Sequence, residues 1–184
     1  MDVPDYVGDP IVGWRVWVVD EHLGLGSVMK AVWWPPRHPF RATCISPHRD
    51  PAPSPHGSPM LGSKCPCGIY AVREPQDAAG YVANFADMGV PRAIGTVSLW
   101  GRVVEGEHGW RAEFAYPRRV YLLRSVVRVA HDLRTGRQRT PVSQVERPER
   151  LTDRIESRYH VPAIALPGGT PADVIAQLWD ASAA

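Results

Sequence analysis

The stretch AIGTVSLWGRVVEGEHGWRAEFAY, residues 93–116, carries the clearest strand signal in the chain. Apolar and polar side chains alternate through both of its halves, which predicts two half-buried strands. The segment between them, Glu105 to Gly109, is polar and contains two glycines, and this composition predicts a hairpin turn. Val97, Leu99 and Val103 are predicted to share one face of the first strand, and Trp110, Ala112, Phe114 and Tyr116 to share one face of the second.

Gly95 and Gly101 lie inside the first of these strands, where glycine marks a bend. A strongly bent antiparallel sheet or a small β-barrel needs such bends. A turn is predicted at Pro117–Arg119, followed by a strand at residues 120–123 and one more within residues 125–133.

The N-terminal part of the chain predicts a second hairpin. IVGWRVWVV, residues 11–19, is a strand candidate with two largely apolar faces, and SVMKAVWW, residues 27–34, is another that stops at Pro35–Pro36. The Gly-containing connection between them favours a hairpin. In the first strand, one face carries Val12, Trp14, Val16 and Val18, and the other carries Ile11, Arg15, Trp17 and Val19.

Four of the seven tryptophans lie in this predicted hairpin, and core packing is the expected role of such large aromatic side chains. Trp33 and Trp34 are consecutive, so on a strand their side chains leave opposite faces. We therefore expect Trp34 to join the core and Trp33 to line a ligand cleft.

Three helices are predicted outside these strands. The first begins at Pro75 and ends near Met88, the second covers residues 151–161, and the third follows a capping-box-like start at Thr170 to Asp173. The expected apolar faces are Ala78, Tyr81, Val82, Phe85 and Met88 in the first helix, and Leu151, Ile155 and Tyr159 in the second.

These elements predict an α+β fold, with a bent antiparallel sheet or small β-barrel, one inserted helix, a Cys/His metal knuckle and two C-terminal helices. With 184 residues the chain is expected to form a single domain over residues 1–184. Residues 35–67 are predicted to be a proline-rich metal-binding insertion, and residues 147–184 a C-terminal helical segment.

All three cysteines lie between residues 44 and 67. Cys44, His56, Cys65 and Cys67 form a Cys₃His set, which has the ligand chemistry of a structural zinc site. His48 competes with His56 as the fourth ligand. An iron–sulfur cluster or simple reduced thiols remain alternatives to zinc.

Composition narrows the class of protein. Hydrophobic content of 44% and charged content of 22% are typical of a globular domain, and a net charge of +2 argues against strong non-specific DNA binding. Basic residues are nearly all arginine, as in proteins from GC-rich bacterial genomes. The first ten residues lack the features of a signal peptide and no apolar run is long enough for a bilayer, so a cytoplasmic location without membrane contact is expected.

The sequence contains none of the common hydrolase, metalloprotease or phosphate-loop motifs, and it leaves enzyme activity uncertain while leaning against it. The preferred hypothesis is a non-catalytic, zinc-stabilised binding domain for nucleic acid or a nucleotide, since stacking and guanidinium groups suit a base and its phosphate. The alternatives are a small metal-dependent enzyme, for which Glu107 and His108 are acid/base candidates, and a protein-interaction adaptor. The predicted ligand-binding residues are Trp33, Trp100, Arg111, Arg118 and Arg119.

Overall fold

The computed structural model describes residues 9–20, 22–29, 32–43, 61, 67–84, 92–123, 148–167 and 170–183. Their strands are β1 (Ile11–Val19), β2 (Leu25–Ser27), β3 (Phe40–Arg41), β4 (Ile69–Val72), β5 (Arg92–Glu105), β6 (Gly109–Leu123) and β7 (Ala163–Leu166). Their helices are α1 (Pro75–Asn84), α2 (Pro148–Tyr159) and α3 (Pro171–Ala183). The predicted α+β class, with a sheet core and three helices, is confirmed in these residues.

The strand pairings close into a ring. Strand β5 pairs with β1 on one edge and β6 on the other, and β4 pairs with both β6 and β1, all antiparallel. The shorter strands extend this ring, because β2 pairs with β1 and β3 pairs with β6. Strand β7 is parallel to β6 and was not predicted, and its four residues lie between the two predicted C-terminal helices.

Two apolar clusters occupy the two sides of the ring. The inner cluster takes alternate residues of β1, including Trp17 and Val19, and is completed by Leu151, Ile155 and Tyr159 of α2. The outer cluster takes the intervening positions of β1, including Val16, and is covered by α1 and α3. The predicted faces of β1 and the apolar face of α2 are therefore confirmed. The outer cluster's helix residues are Ala78, Ala79, Val82, Val174, Ile175 and Leu178.

Two bulges set the shape of the β5–β6 hairpin. The register shifts between Trp100 and Val103, where Gly101 has a φ of 72°, and again where Pro117 to Arg119 face Thr96 and Val97. An extra residue on one strand bends the ladder and changes which side the next residues face. The predicted bend at Gly101 is confirmed.

Two predictions for β6 are wrong because of these bulges. The proposed turn at Pro117–Arg119 is wrong, because the strand continues through these residues as a bulge. The predicted placement of Phe114 on the same face as Ala112 is also wrong, because Ala112 and Ala115 join the inner cluster and Phe114 stacks on Trp100 instead. The alternation of apolar and polar residues in the sequence does not reveal a local register shift.

Other differences concern the ends of elements. Residues 27–34 do not form one continuous strand: β2 ends at Ser27, and Trp33 returns to Gly26 through an isolated bridge. Tyr81 is 47% exposed, so it does not belong to the core face of α1. The predicted contributions of Phe85, Met88 and the strand within residues 125–133 lie outside the described residues.

Tyr159 joins α2 to the N-terminal strands. Its buried hydroxyl accepts a hydrogen bond from the Leu25 amide at 2.7 Å and donates one to the Trp34 carbonyl at 3.3 Å. The Tyr159 carbonyl accepts a hydrogen bond from the Tyr116 hydroxyl at 2.7 Å. Burial raises the pKa of the Tyr159 hydroxyl. The Tyr159 side chain therefore provides the hydrogen-bond partner for two buried backbone groups, at Leu25 and Trp34, that are far from it in sequence.

Replacing Tyr159 with Phe is expected to lower the free energy of unfolding by about 1–3 kcal/mol, because the Leu25 amide and Trp34 carbonyl lose their buried partner. Tyr81→Phe, on the exposed side of α1, is the control and is expected to change the free energy of unfolding by less than about 0.5 kcal/mol. Urea unfolding measures both. Equal effects of the two substitutions would contradict this role of Tyr159.

Comparison of wild type with Tyr159→Phe at different pH values tests the ionisation of Tyr159. Because its pKa is raised in the folded state, its stabilising contribution is complete below the unfolded pKa of about 10 and is lost as pH rises through the folded pKa. The stability difference between wild type and Tyr159→Phe should therefore shrink as pH rises above about 10. A constant difference over that range would contradict the shift.

Candidate nucleic-acid interface on the outer sheet face

The part of the ring's outer side that lies beyond the cover of α1 and α3 carries aromatic and basic side chains. We call this surface the outer sheet face. It consists of Val12, Trp14, Arg41, Thr96, Ser98, Trp100, Phe114 and Arg119. Its positions on β5 alternate with Val97 and Leu99, which belong to the inner cluster. Its strands place Trp14 beside Thr96 and Val12 beside Ser98.

One end of the outer sheet face is a stack of three side chains from three strands. The rings of Trp100 on β5 and Phe114 on β6 are stacked, with centroids 6.1 Å apart and planes 17° apart. The Arg41 guanidinium of β3 lies over the Phe114 ring, 5.5 Å from its centroid. Arg41 also forms a salt bridge of 3.3 Å with Glu113. Trp100 and Phe114 are only partly buried, so aromatic surface remains open to a ligand.

The other end joins one aromatic pair to an arginine. The Trp14 ring stacks on the buried Tyr121 ring with centroids 6.3 Å apart, and the Arg119 guanidinium donates a 3.5 Å hydrogen bond to the Tyr121 hydroxyl. Thr96 pairs with Trp14 on one side and Arg119 on the other. Thr96 and Trp100 are four residues apart on β5, so the two ends are separated by about 13 Å.

The predicted basic residues are not all on this surface. Arg118 is exposed within the bulge next to Arg119, and it makes no hydrogen bond or ion pair with the residues that the structure describes. Arg111 lies eight positions from Arg119 on β6, which is about 25 Å along a strand. Its Nη1 donates to the Cys67 carbonyl at 3.2 Å, so Arg111 holds the start of β4.

The consecutive residues Trp33 and Trp34 lie in different environments. Trp34 is 2% exposed and packs edge-to-face against Trp17, with centroids 5.7 Å apart, so its predicted core position is confirmed. Trp33 is partly buried and lies over Gly26, where an added Cβ would be 2.6 Å from its ring. This position is beside Val18, at the opposite end of β1 from Trp100. Trp33 and Trp100 therefore do not form one site.

The predicted metal knuckle lies mostly outside the described residues. Cys44, His48, His56 and Cys65 are among the residues that the structure does not describe. Cys67 is a buried free thiol at the entrance to β4. Within the described ranges, no group of three or more His, Cys, Asp or Glu side chains could hold a metal ion.

The structure adds a residue that motif analysis did not select. Arg15 lies on the inner side of β1, between Gly13 and Trp17, with its guanidinium 5.2 Å from the Trp34 ring centroid. Burial lowers the pKa of Arg15 to about 10. A signal for it is present in IVGWRVWVV, where arginine is the one charged residue of a strand with two apolar faces.

The acid/base candidates of the enzyme hypothesis lie on the β5–β6 turn. Glu107 and His108 are both exposed, and the His108 carbonyl accepts a 3.0 Å hydrogen bond from the Arg73 amide. In the described residues, neither side chain has a partner that would orient it. A general base needs such a partner and a pocket, so this turn offers little support for catalysis.

Comparisons of this chain with models of protein families, with curated proteins and with solved structures found no match. Over the described parts of the chain, the helices are too short or too polar to span a membrane. The geometry of the outer sheet face is therefore the main guide to function.

Gly101 holds Trp100 against Phe114, because a Cβ added to Gly101 would lie 2.7 Å from the Phe114 ring at a backbone φ of 72°. Gly101→Ala is expected to lower the free energy of unfolding by about 1–3 kcal/mol and to change tryptophan fluorescence.

Gly80 in α1 is the matched control, because nothing lies within 4 Å of its added Cβ. Gly80→Ala is expected to raise the free energy of unfolding by about 0.5–1 kcal/mol, as alanine is favoured over glycine in a helix interior. Urea unfolding with fluorescence detection measures both. The same sign of change in both variants would contradict the assigned bend.

Proposed function

We propose that this protein is a non-catalytic binding domain that holds single-stranded nucleic acid, or a nucleotide, on its outer sheet face. The observation that carries the proposal is the Trp100–Phe114–Arg41 stack on the same face as Arg119. In this proposal the closed ring of strand pairings is a small barrel that presents one open side to the ligand.

Stacking supplies the sequence-independent part of the binding. Aromatic rings on a sheet bind bases face to face, and each stacked base contributes about 1–3 kcal/mol. The partly buried Trp100 ring is fixed by Phe114, so little side-chain entropy is lost when a base stacks on it. The length of about 13 Å between Trp100 and Thr96 suits two or three bases.

Arginines at the β6 bulge supply contacts to phosphate. Arg118 is exposed, and with the described residues Arg119 makes one 3.5 Å hydrogen bond, so both retain donors for phosphate oxygens. Arg41 contributes less charge because Glu113 neutralises it. With a net charge of +2, the binding should be weak and restricted to this face rather than spread over the surface.

Structural zinc belongs to the same proposal. Cys44, His56, Cys65 and Cys67, with His48 as the alternative histidine, would hold the proline-rich insertion between β3 and β4. The burial of Cys67 suits a closed structural site, and the Arg111 hydrogen bond to its carbonyl would join that site to β6. An iron–sulfur cluster is the alternative occupant of these ligands.

The binding proposal predicts distinct effects of two substitutions. Trp100→Ala should weaken binding of a short single-stranded oligonucleotide at least tenfold, because a stacked base is lost. Arg119→Gln should weaken binding several-fold and flatten its salt dependence, because one phosphate contact no longer releases a counterion. Fluorescence anisotropy of a labelled oligothymidylate at two salt concentrations measures both effects.

Two exposed residues on the helices provide controls. Trp179 on α3 is 57% exposed, and Arg150 on α2 is exposed, so Trp179→Ala and Arg150→Gln remove the same residue types away from the outer sheet face. Both are expected to bind as wild type. Equal losses in the control and test variants, or no binding by wild type at low salt, would contradict the proposal.

The zinc proposal predicts that protein purified without added metal contains about one zinc ion per chain and is colourless. Cys67→Ser should lose the metal and lower the melting temperature, because zinc binding contributes folding free energy. Elemental analysis and thermal melts measure these effects. Metal-free wild-type protein that melts cooperatively would contradict zinc, and visible absorption would assign an iron–sulfur cluster.

A further inference from the structure

Arg15 lies where one edge of β1 changes partner. Strand β2 pairs with β1 at residues 17–19, and β4 pairs with it at Trp14, so within the described residues Arg15 and Val16 face a gap between the two strands. The guanidinium of Arg15 spans this gap. Its Nη2 donates to the Ser27 hydroxyl on β2 at 3.2 Å, and its Nη1 donates to the Tyr70 carbonyl on β4.

These two hydrogen bonds leave part of the guanidinium unused. An arginine has five N–H donors, so the Nε–H and one N–H on each Nη remain. The Nε atom is fully enclosed and has no hydrogen-bond partner in the described parts of the chain. The Nη1 end is different, because its bond to Tyr70 lies at the surface and the Tyr70 side chain is itself half-exposed. The Nη1 end is therefore the solvent-facing end of the guanidinium.

The positive charge of Arg15 has no counter-charge among the described residues. Several of the described acids are engaged elsewhere: Glu105 pairs with Arg73, Glu113 pairs with Arg41, and the Asp20 carboxylate accepts from the Gly24 amide at 2.6 Å. In α2, the Glu156 carboxylate accepts from the Ala163 amide. Arg15 itself makes no ion pair with a described residue.

Burial of the Arg15 charge costs free energy, and the guanidinium does not avoid this cost by losing its proton. Burial lowers the pKa of Arg15 to about 10, which still leaves the group protonated at neutral pH. The Trp34 ring and two neutral acceptors offset part of the desolvation. A bound anion would offset the rest, because guanidinium bonds to an oxyanion are charge-assisted and use two donors together.

We infer that the gap between β2 and β4 is a binding site for a small oxyanion, held by Arg15 with Trp34 behind it and Ser27 and Tyr70 at its sides. The ligand chemistry is a delocalised oxyanion that accepts two parallel N–H bonds, as in a carboxylate or a phosphate group. This site is on the inner side of β1, so it is separate from the outer sheet face and does not depend on the function proposed for that face.

Arginine-selective NMR tests the inference without a substitution. The protein is labelled with ¹⁵N-arginine, and the Arg15 Nε–H resonance is identified by its contacts to the Trp34 ring protons. Sodium phosphate and sodium acetate are titrated separately, with sodium chloride keeping the ionic strength constant. We expect a saturable shift of the Arg15 resonance, and the anion with the lower half-saturation concentration identifies the preferred group.

Thermal melts provide the second measurement. The preferred anion at saturating concentration should raise the melting temperature of wild type by several degrees, because it binds the folded state alone. Arg15→Gln should lose this increase, whereas the control Arg150→Gln, at an exposed position of α2, should keep it. If Arg15→Gln does not fold, the NMR titration decides.

Two results would overturn the inference. One is an Arg15 resonance that does not move, or that moves linearly with every other arginine resonance, in both anions. The other is an equal anion-dependent increase in melting temperature for wild type and Arg15→Gln.

Discussion

Pairing between β5 and β6 is the interaction on which the rest of the sheet depends. These strands are the longest of the described part, and each of β1, β3, β4 and β7 is hydrogen-bonded to one of them. Their ladder tolerates two register shifts because Gly101 takes a positive φ and because Gly95 lets the Arg119 carbonyl approach closely. The ring of pairings follows from this bent ladder.

The bends also create the candidate ligand surface. At the first bulge, Phe114 turns outward onto Trp100 while Ala115 takes its place in the inner cluster. At the second, Arg118 and Arg119 project from a strand rather than from a loop. Aromatic and basic side chains thus stand on a rigid sheet, and preorganisation of this kind lowers the entropic cost of binding.

The two sides of the ring are closed by different means. The outer cluster is covered by the small and branched apolar residues of α1 and α3, whereas the inner cluster is held by α2 through the hydroxyl of Tyr159 as well as by packing. Arg15 is the exception to the apolar lining on the inner side. Its position in a gap between strands explains how a charged residue is accommodated on a strand with two apolar faces.

The sequence by itself determined the elements that depend on local pattern. Alternation located β1 and the β5–β6 hairpin, and spacing of four located the buried face of α2. The Thr170–Asp173 cap located the start of α3, where the Asp173 carboxylate accepts a 2.7 Å hydrogen bond from the Thr170 hydroxyl. It also identified Trp100, Arg118 and Arg119, which the structure places near or on one surface. These features are set within a few residues of each other along the chain.

Only the tertiary structure decided which of those residues meet. Strand β7 is too short to be recognised alone and forms because β6 offers it a parallel edge. The separation of Trp33 from Trp100, the outward turn of Phe114 and the position of Arg15 away from any described acid all follow from register between distant segments. Register is set by packing and backbone hydrogen bonds across the sheet, and a one-residue shift moves a side chain to the opposite face.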